Sequence, residues 1–215
     1  MTTHEVVLPL FSPLVNAPAK KYRTLVADPP WAAVLRAPRR FDGHENEYNS
    51  YGTMTDAELM SMPVGLWGED NAHLYLWCLN SNIAQAHKVA AAWGFEVKTL
   101  ITWVKGRIEG NRLIQHIGLG HYYRNSTEHV IFAVRGSLGT LHDDVSTAFI
   151  APRKEHSEKP AAFYDMVERM SPGPYLDVFA RTQRFNWDTF GNESFDFREH
   201  GIWNKEAAPL EDAAK

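Results

Sequence analysis

A single cysteine, Cys78, stands among 215 residues, which excludes a disulfide framework and a cysteine-rich zinc site. It lies inside the apolar run Leu74 to Leu79, where a thiol is expected to be buried rather than reactive. Long hydrophobic runs are also missing. The apolar stretch Val6 to Val15 is interrupted by Pro9 and Pro13 and lacks a basic start, so it reads neither as a membrane span nor as a secretory leader. A soluble, cytoplasmic protein with no membrane partner is the expectation. Positive charge is not in excess: 22 Lys and Arg against 26 Asp and Glu leave a net charge of −4, which argues against strong non-specific binding to nucleic acid. The ten histidines form no recognisable ligand spacing, so no metal is expected. There is no internal repeat and no low-complexity tract. The composition, 44% hydrophobic and 22% charged, fits one globular domain with a substantial core. Residues 1–200 read as that domain and 201–215 as a flexible tail.

What is present is an alternation of short strands and helices. Tyr22 to Ala27, His73 to Cys78, Val97 to Val104, His129 to Val134 and Tyr175 to Phe179 are rich in β-branched, leucine and aromatic residues and read as strands. Thr55 with Glu58 three residues on is a capping box for a helix running to Met62. Ser81 or Asn82 can cap a helix through Trp93 that Gly94 closes. Pro160 starts a third helix, stopped by Ser171-Pro172-Gly173. Such alternation predicts an α/β sandwich with a largely parallel sheet, in which ligands bind beyond the carboxyl ends of the strands. Asp28, Asn80 to Asn82, Lys105 and Arg181 fall at such ends and are expected to share one crevice.

Asp28-Pro29-Pro30-Trp31 follows the first strand. The tetrapeptide alone is open to two readings, since aspartate and proline are also ordinary turn residues. The second reading is chemical. The lone pair of an exocyclic amine such as adenine N6 is delocalised into the ring. Before it attacks a methyl group, it must be localised. The Asp28 carboxylate and a main-chain carbonyl of Pro29-Pro30 can each accept one amine hydrogen, and charge-assisted bonds of this kind are roughly twice as strong as neutral ones. Paired prolines stiffen the loop, and Trp31 offers a face for an extruded base. Arg36, Arg39 and Arg40, with Lys20, Lys21 and Arg23 before the strand, are candidate phosphate contacts or ordinary surface charges.

In order along the chain, Ala27 to Trp31, Tyr51-Gly52-Thr53-Met54, Leu74 to Trp77, Thr102 to Lys105, Glu128-His129, Ser157 to Pro160, Ser171 to Gly173 and Trp187 to Glu193 resemble the MT-A70 family of S-adenosylmethionine-dependent adenine N6-methyltransferases, in the form of a bacterial or phage single-domain member. The resemblance runs from about Tyr22 to Glu193 and implies a Rossmann-like methyltransferase fold with a mixed, mostly parallel sheet and permuted motif order. It implies that Asp28, Pro29, Pro30 and Trp31 are catalytic, with Asp28 also near the cofactor. Tyr51, Lys105 and Glu128 are implied on the substrate side, beside the candidate arginines Arg36, Arg39 and Arg40; for Lys105 and Glu128 a structural ion pair is the competing reading. Lys159, Phe179, Arg181, Gln183, Asn192 and Glu193 are implied at S-adenosyl-L-methionine. Three positions depart from the family pattern. Ala180 stands where glycine is common, Glu193 where glutamine is common, and Gln183 near where some relatives have histidine.

The implied partner is nucleic acid, DNA favoured over RNA because the chain is compact and the long segment between Trp31 and Tyr51, which carries Arg36, Arg39 and Arg40, resembles that of bacterial and phage members. A homodimer or heterodimer partner stays open. A non-catalytic binding platform and a methyltransferase acting on a protein amide are the other readings.

Overall fold

The computed structural model describes residues 20–32, 53–118, 122–153 and 158–191. The strands are β1 (Tyr22–Ala27), β2 (Gly68–Cys78), β3 (Glu96–Glu109), β4 (Arg112–Gln115), β5 (Thr127–Arg135), β6 (Ala148–Ala151), β7 (Tyr175–Val178) and β8 (Trp187–Phe190). The helices are α1 (Asp56–Ser61), α2 (Val64–Trp67), α3 (Ile83–Ala92) and α4 (Ala161–Met170). All eight strands form one sheet in the order β4-β3-β5-β2-β1-β7-β8, with β6 beside β3. The sheet is mixed. β1 pairs in parallel with β2 and β7, β7 with β8 and β3 with β6, while β5 runs antiparallel to β2 and β3, and β4 antiparallel to β3.

Strand alternation sorts side chains onto two faces. Leu25, Ala27, Leu74, Leu76, Ile131, Leu176 and Val178 pack with Leu59, Ala86, Val89 and Trp93 in one buried layer. Val26, Tyr75, Trp77, Trp103 and Val130 pack with Phe163, Tyr164 and Val167 of α4 in the other. The capping box of α1 is present, the Thr55 hydroxyl accepting from the Glu58 N–H while Glu58 accepts from Thr55. Gly94 ends α3 at φ +82°, a left-handed conformation that glycine adopts without penalty. Asn82 stands at the start of α3 but makes no side-chain cap; its oxygen instead accepts from Ser81.

The Ser171-Pro172-Gly173 segment serves the opposite edge of the sheet. Ser171 Oγ lies 2.7 Å from both His73 Nδ1 and Tyr75 Oη, and His73 Nε2 lies 2.9 Å from the Leu138 carbonyl. A carbonyl only accepts, so Nε2 carries the proton, Nδ1 accepts from Ser171, and the Tyr75 hydroxyl donates to Ser171. The Thr24 hydroxyl donates to the Pro172 carbonyl, and the N–H groups of Arg23 and Thr24 donate to Pro174. This cluster ties α4 to β1 and β2, away from the crevice.

Candidate active site

Asp28 N donates to the Val178 carbonyl at 3.2 Å, extending the β1–β7 ladder by one residue. Asp28 therefore follows Val26 onto the α4 face. β5 runs against β2, so its first residues, Thr127 and Glu128, lie at the carboxyl edge of β1 and β2. Glu128 shares the face of Val130. Lys105 shares the face of Trp103 and reaches the same edge, although it lies within β3 rather than after it. Lys159 stands just before α4, whose N-cap is Pro160.

These four side chains form an alternating chain of charge. Lys105 Nζ lies 2.5 Å from Glu128 Oε1, and Lys159 Nζ lies 3.0 Å from both Glu128 Oε2 and Asp28 Oδ2. Lys159 also sits over the Trp77 ring, 4.6 Å from its centroid, a favourable contact for a desolvated ammonium. The Lys159 side chain is 10% exposed, whereas Asp28 keeps 28%, so the crevice opens on Asp28. Burial pushes the Asp28 carboxyl above the usual range while Lys159 pulls it back. Burial also pushes Glu128 up, but Lys159 and Lys105 outweigh it and leave the group below its ordinary value. Burial lowers Lys159, and Asp28 with Glu128 reverses that and holds it above the ordinary lysine range. Cys78, at the end of β2, is buried and its thiol is pushed up to about 12 by burial, so it is no nucleophile at neutral pH.

The loop itself is pinned. Trp31 N donates to the Pro29 carbonyl and Met54 N to the Pro30 carbonyl, each at 2.8 Å; each carbonyl keeps a second lone pair. Trp31 corrects one expectation. It is 8% exposed, packs in the α1–α3 layer and donates from its indole N–H to the Trp77 carbonyl at 2.9 Å. The ring is committed to the core and is not an open face for a base; it anchors the loop from behind.

Sequence reasoning missed Asp177, Tyr164 and Trp77. Asp177 pairs with Val26 in register and so lies on the same face as Asp28; Tyr164 Oη donates to its Oδ2 at 2.8 Å. Burial raises the Asp177 carboxyl to about 7, with Tyr164 opposing and Asp28 adding to the rise. A polar residue in the otherwise apolar run Tyr-Leu-Asp-Val-Phe was the available signal. The Trp77 indole N–H is buried without a hydrogen-bond partner among the described residues, as expected of a donor facing a ligand or water site. Past β7 the backbone turns sharply at Phe179, with φ 66°, strain of the kind that clusters at ligand sites. Gly191 crosses so closely over this turn that a Cβ there would lie 2.5 Å from the Ala180 carbonyl oxygen. Arg181 and Gln183 follow the turn and are exposed. Tyr51, Arg36, Arg39, Arg40, Asn192 and Glu193 lie outside the described residues.

Among the described residues no group of His, Cys, Asp and Glu side chains is arranged to hold a metal, and no helix is long and apolar enough to cross a membrane. The arrangement is that of an α/β protein with a polar crevice at the carboxyl edge of its sheet, floored by a carboxylate and a buried lysine. The chain belongs to the MT-A70 family, whose model matches residues 22–193 and whose methyl donor is S-adenosylmethionine. It is 28% identical over 177 residues to the human N(6)-adenosine-methyltransferase catalytic subunit METTL3, covering 80% of this chain and 28% of that protein. The Drosophila melanogaster N(6)-adenosine-methyltransferase MT-A70-like protein is 27% identical over 177 residues, 80% of this chain and 27% of that one. The type II methyltransferase M.MunI of Mycoplasma is 28% identical over 203 residues, 87% of this chain and 84% of its own. The chain thus spans under a third of the length of its METTL3 relatives.

Proposed function

We propose that this chain transfers a methyl group from S-adenosylmethionine to the N6 amine of adenine in nucleic acid, with DNA the favoured substrate. The observation that carries the reading is the Lys159–Asp28 pair at 3.0 Å, placed where two prolines stiffen the loop at the carboxyl edge of β1. The donor, when bound, supplies an electrophilic methyl on a sulfonium. Its polar groups need cations for a carboxylate and acceptors for hydroxyl and ammonium groups; Lys159 and Arg181 on one side and Asp28 and Asp177 on the other meet that need in kind.

Asp28 would accept one amine hydrogen and localise the nitrogen lone pair. With Oδ2 taken by Lys159, Oδ1 is the oxygen left for the amine. The free lone pair of the Pro29 or Pro30 carbonyl would accept the second hydrogen. Lys159 favours the ionised, accepting form of Asp28 against the upward push of burial. The proton released after transfer passes to a carboxylate already bonded to the nitrogen. Glu128 and Lys105 fix Lys159 without touching the amine. Rate enhancement then comes from orientation and preorganised acceptors.

The likeness to M.MunI over most of both chains supports DNA. RNA is the second reading, supported by the names of the human and fly relatives, which are adenosine methyltransferases. Labelled methyl transfer to matched DNA and RNA pools, single- and double-stranded, tests both. N6-methyladenine in a DNA pool is the expected product, label confined to RNA would replace DNA by RNA, and label in neither would sink the activity.

A further inference from the structure

We propose that Tyr164 is a positioning residue for the methyl donor: its hydroxyl holds the Asp177 carboxylate in the crevice, and its ring holds the Arg184 turn beside it. This rests on the reading that the donor binds in this crevice. Tyr164 lies on α4, the helix that Lys159 precedes, and its buried hydroxyl donates to Asp177 Oδ2 at 2.8 Å. Arg184, between β7 and β8, sets its guanidinium 3.9 Å from the centre of the Tyr164 ring, and the Trp187 ring meets that ring at 88° and 5.3 Å. One side chain therefore ties α4 to the strand and the turn that carry Asp177 and Arg181.

The fold alone does not call for this arrangement. Neighbouring Phe163 and Val167 fill the layer with apolar atoms, and a hydroxyl–carboxylate pair packed as deeply stabilises a fold little more than an apolar pair of the same shape. Asp177 is 6% exposed, yet it shares the face of Asp28. With Oδ2 taken by Tyr164, Oδ1 is the oxygen left for a cation. The donor carries a sulfonium and an ammonium against a single carboxylate.

The same contact sets when Asp177 is charged. Burial raises its carboxyl to about 7, and Tyr164 opposes the rise. Of the other charged groups facing it, Asp28 after β1 adds to the rise, while Arg184 and Lys159 oppose it; β8 sets the uncharged Thr189 beside it in register. Burial and Asp177 push the Tyr164 phenol up, so it stays a donor across the neutral range. A cation favours the ionised carboxylate, so affinity for the donor is greatest above about pH 7 and falls as pH drops through it. Removing the hydroxyl raises the Asp177 carboxyl further and moves that fall to higher pH.

The test is calorimetric binding of S-adenosylmethionine to the full chain, without nucleic acid, from pH 6 to 8.5. For the wild type, Kd is expected to rise about tenfold from pH 8 to pH 6, the change for one carboxyl titrating near 7. Tyr164→Phe keeps the ring under Arg184 and is expected to move the midpoint of that rise up by about one pH unit. Its binding is then several-fold weaker near neutrality and approaches the wild type at pH 8.5. Asp177→Asn is expected to flatten the rise, and adding Tyr164→Phe to it should change Kd by less than about twofold, because the hydroxyl acts through the carboxylate. The ligand's own ionisations are common to all four proteins, and thermal melts establish that each is folded at each pH. If folded Tyr164→Phe keeps the wild-type midpoint, or weakens binding equally at every pH, Tyr164 only packs; the proposal is then wrong and the donor reading stands. A rise that survives with the same midpoint in Asp177→Asn assigns the titration to another group and also overturns it. If the wild type binds no S-adenosylmethionine at any pH, the donor reading and the proposal both fall.

Discussion

Lys159 Nζ and Asp28 Oδ2 lie 3.0 Å apart, which joins the residue that follows β1 to the residue before the N-cap of α4. The contact closes the crevice floor from two sides of the sheet edge, and each charge favours the ionised form of the other, for Asp28 against the upward push of burial.

Replacing the lysine should therefore move a pH profile. Burial raises the Asp28 carboxyl from its ordinary 3.8, and Lys159 opposes the rise. Only the ionised carboxylate accepts amine hydrogens, so the rate falls as pH drops through the Asp28 pKa. In Lys159→Met the opposing charge is gone, the pKa climbs further, and the acidic limb of the single-turnover rate shifts to higher pH. A limb that stays in place or moves down would remove Lys159 from this role.

Glu128→Gln should destabilise the fold as well as slow transfer. Glu128 is 14% exposed and neutralises both Lys105 and Lys159. Removing one member of a buried pair leaves uncompensated charge, up to about 3 kcal/mol here because Lys159 keeps Asp28. Urea denaturation measures it, and an unchanged midpoint would show that the pair is solvated.

Trp31→Phe separates anchoring from stacking. The substitution keeps a ring but loses the bond to the Trp77 carbonyl, and the orphaned buried acceptor costs about 1–3 kcal/mol. Lower stability and lower kcat with little change in KM are expected. A change in KM alone would restore Trp31 as a base platform.

The far edge of the sheet carries its own pH response. Burial holds His73 below its ordinary pKa of 6.5, against the upward pull of its bond to Leu138. Below about pH 6.5 the unfolded chain takes up a proton that folded His73 refuses, so stability rises with pH through that window and falls as pH drops. Melting temperatures of wild type and His73→Asn between pH 8 and 5 isolate the contribution. The wild type should lose stability more steeply on acidification, and parallel curves would contradict the buried neutral imidazole.

Much of this was legible residue by residue. β1 has the bounds its apolar pattern marks, and Thr55 with Glu58 announces α1. β4, β6 and β8 were not legible: four residues hold too little periodicity to distinguish a strand from a loop, and β6 and β8 exist because neighbouring strands offer an open edge. β3 runs on to Glu109 for the same reason, with β4 pairing its last residues. Asp28 and Lys159 could be singled out by resemblance, but their contact with Glu128 depends on β5 running against β2, which no local signal encodes. The burial of Trp31 depends on a carbonyl 46 residues away.

The central claim is that Asp28 accepts the target amine. Label from S-adenosylmethionine should appear as N6-methyladenine in a nucleic-acid pool with the wild type and vanish with Asp28→Ala, while the folded content of the variant is kept. N6-methyladenine formed by folded Asp28→Ala at the wild-type rate would contradict the account.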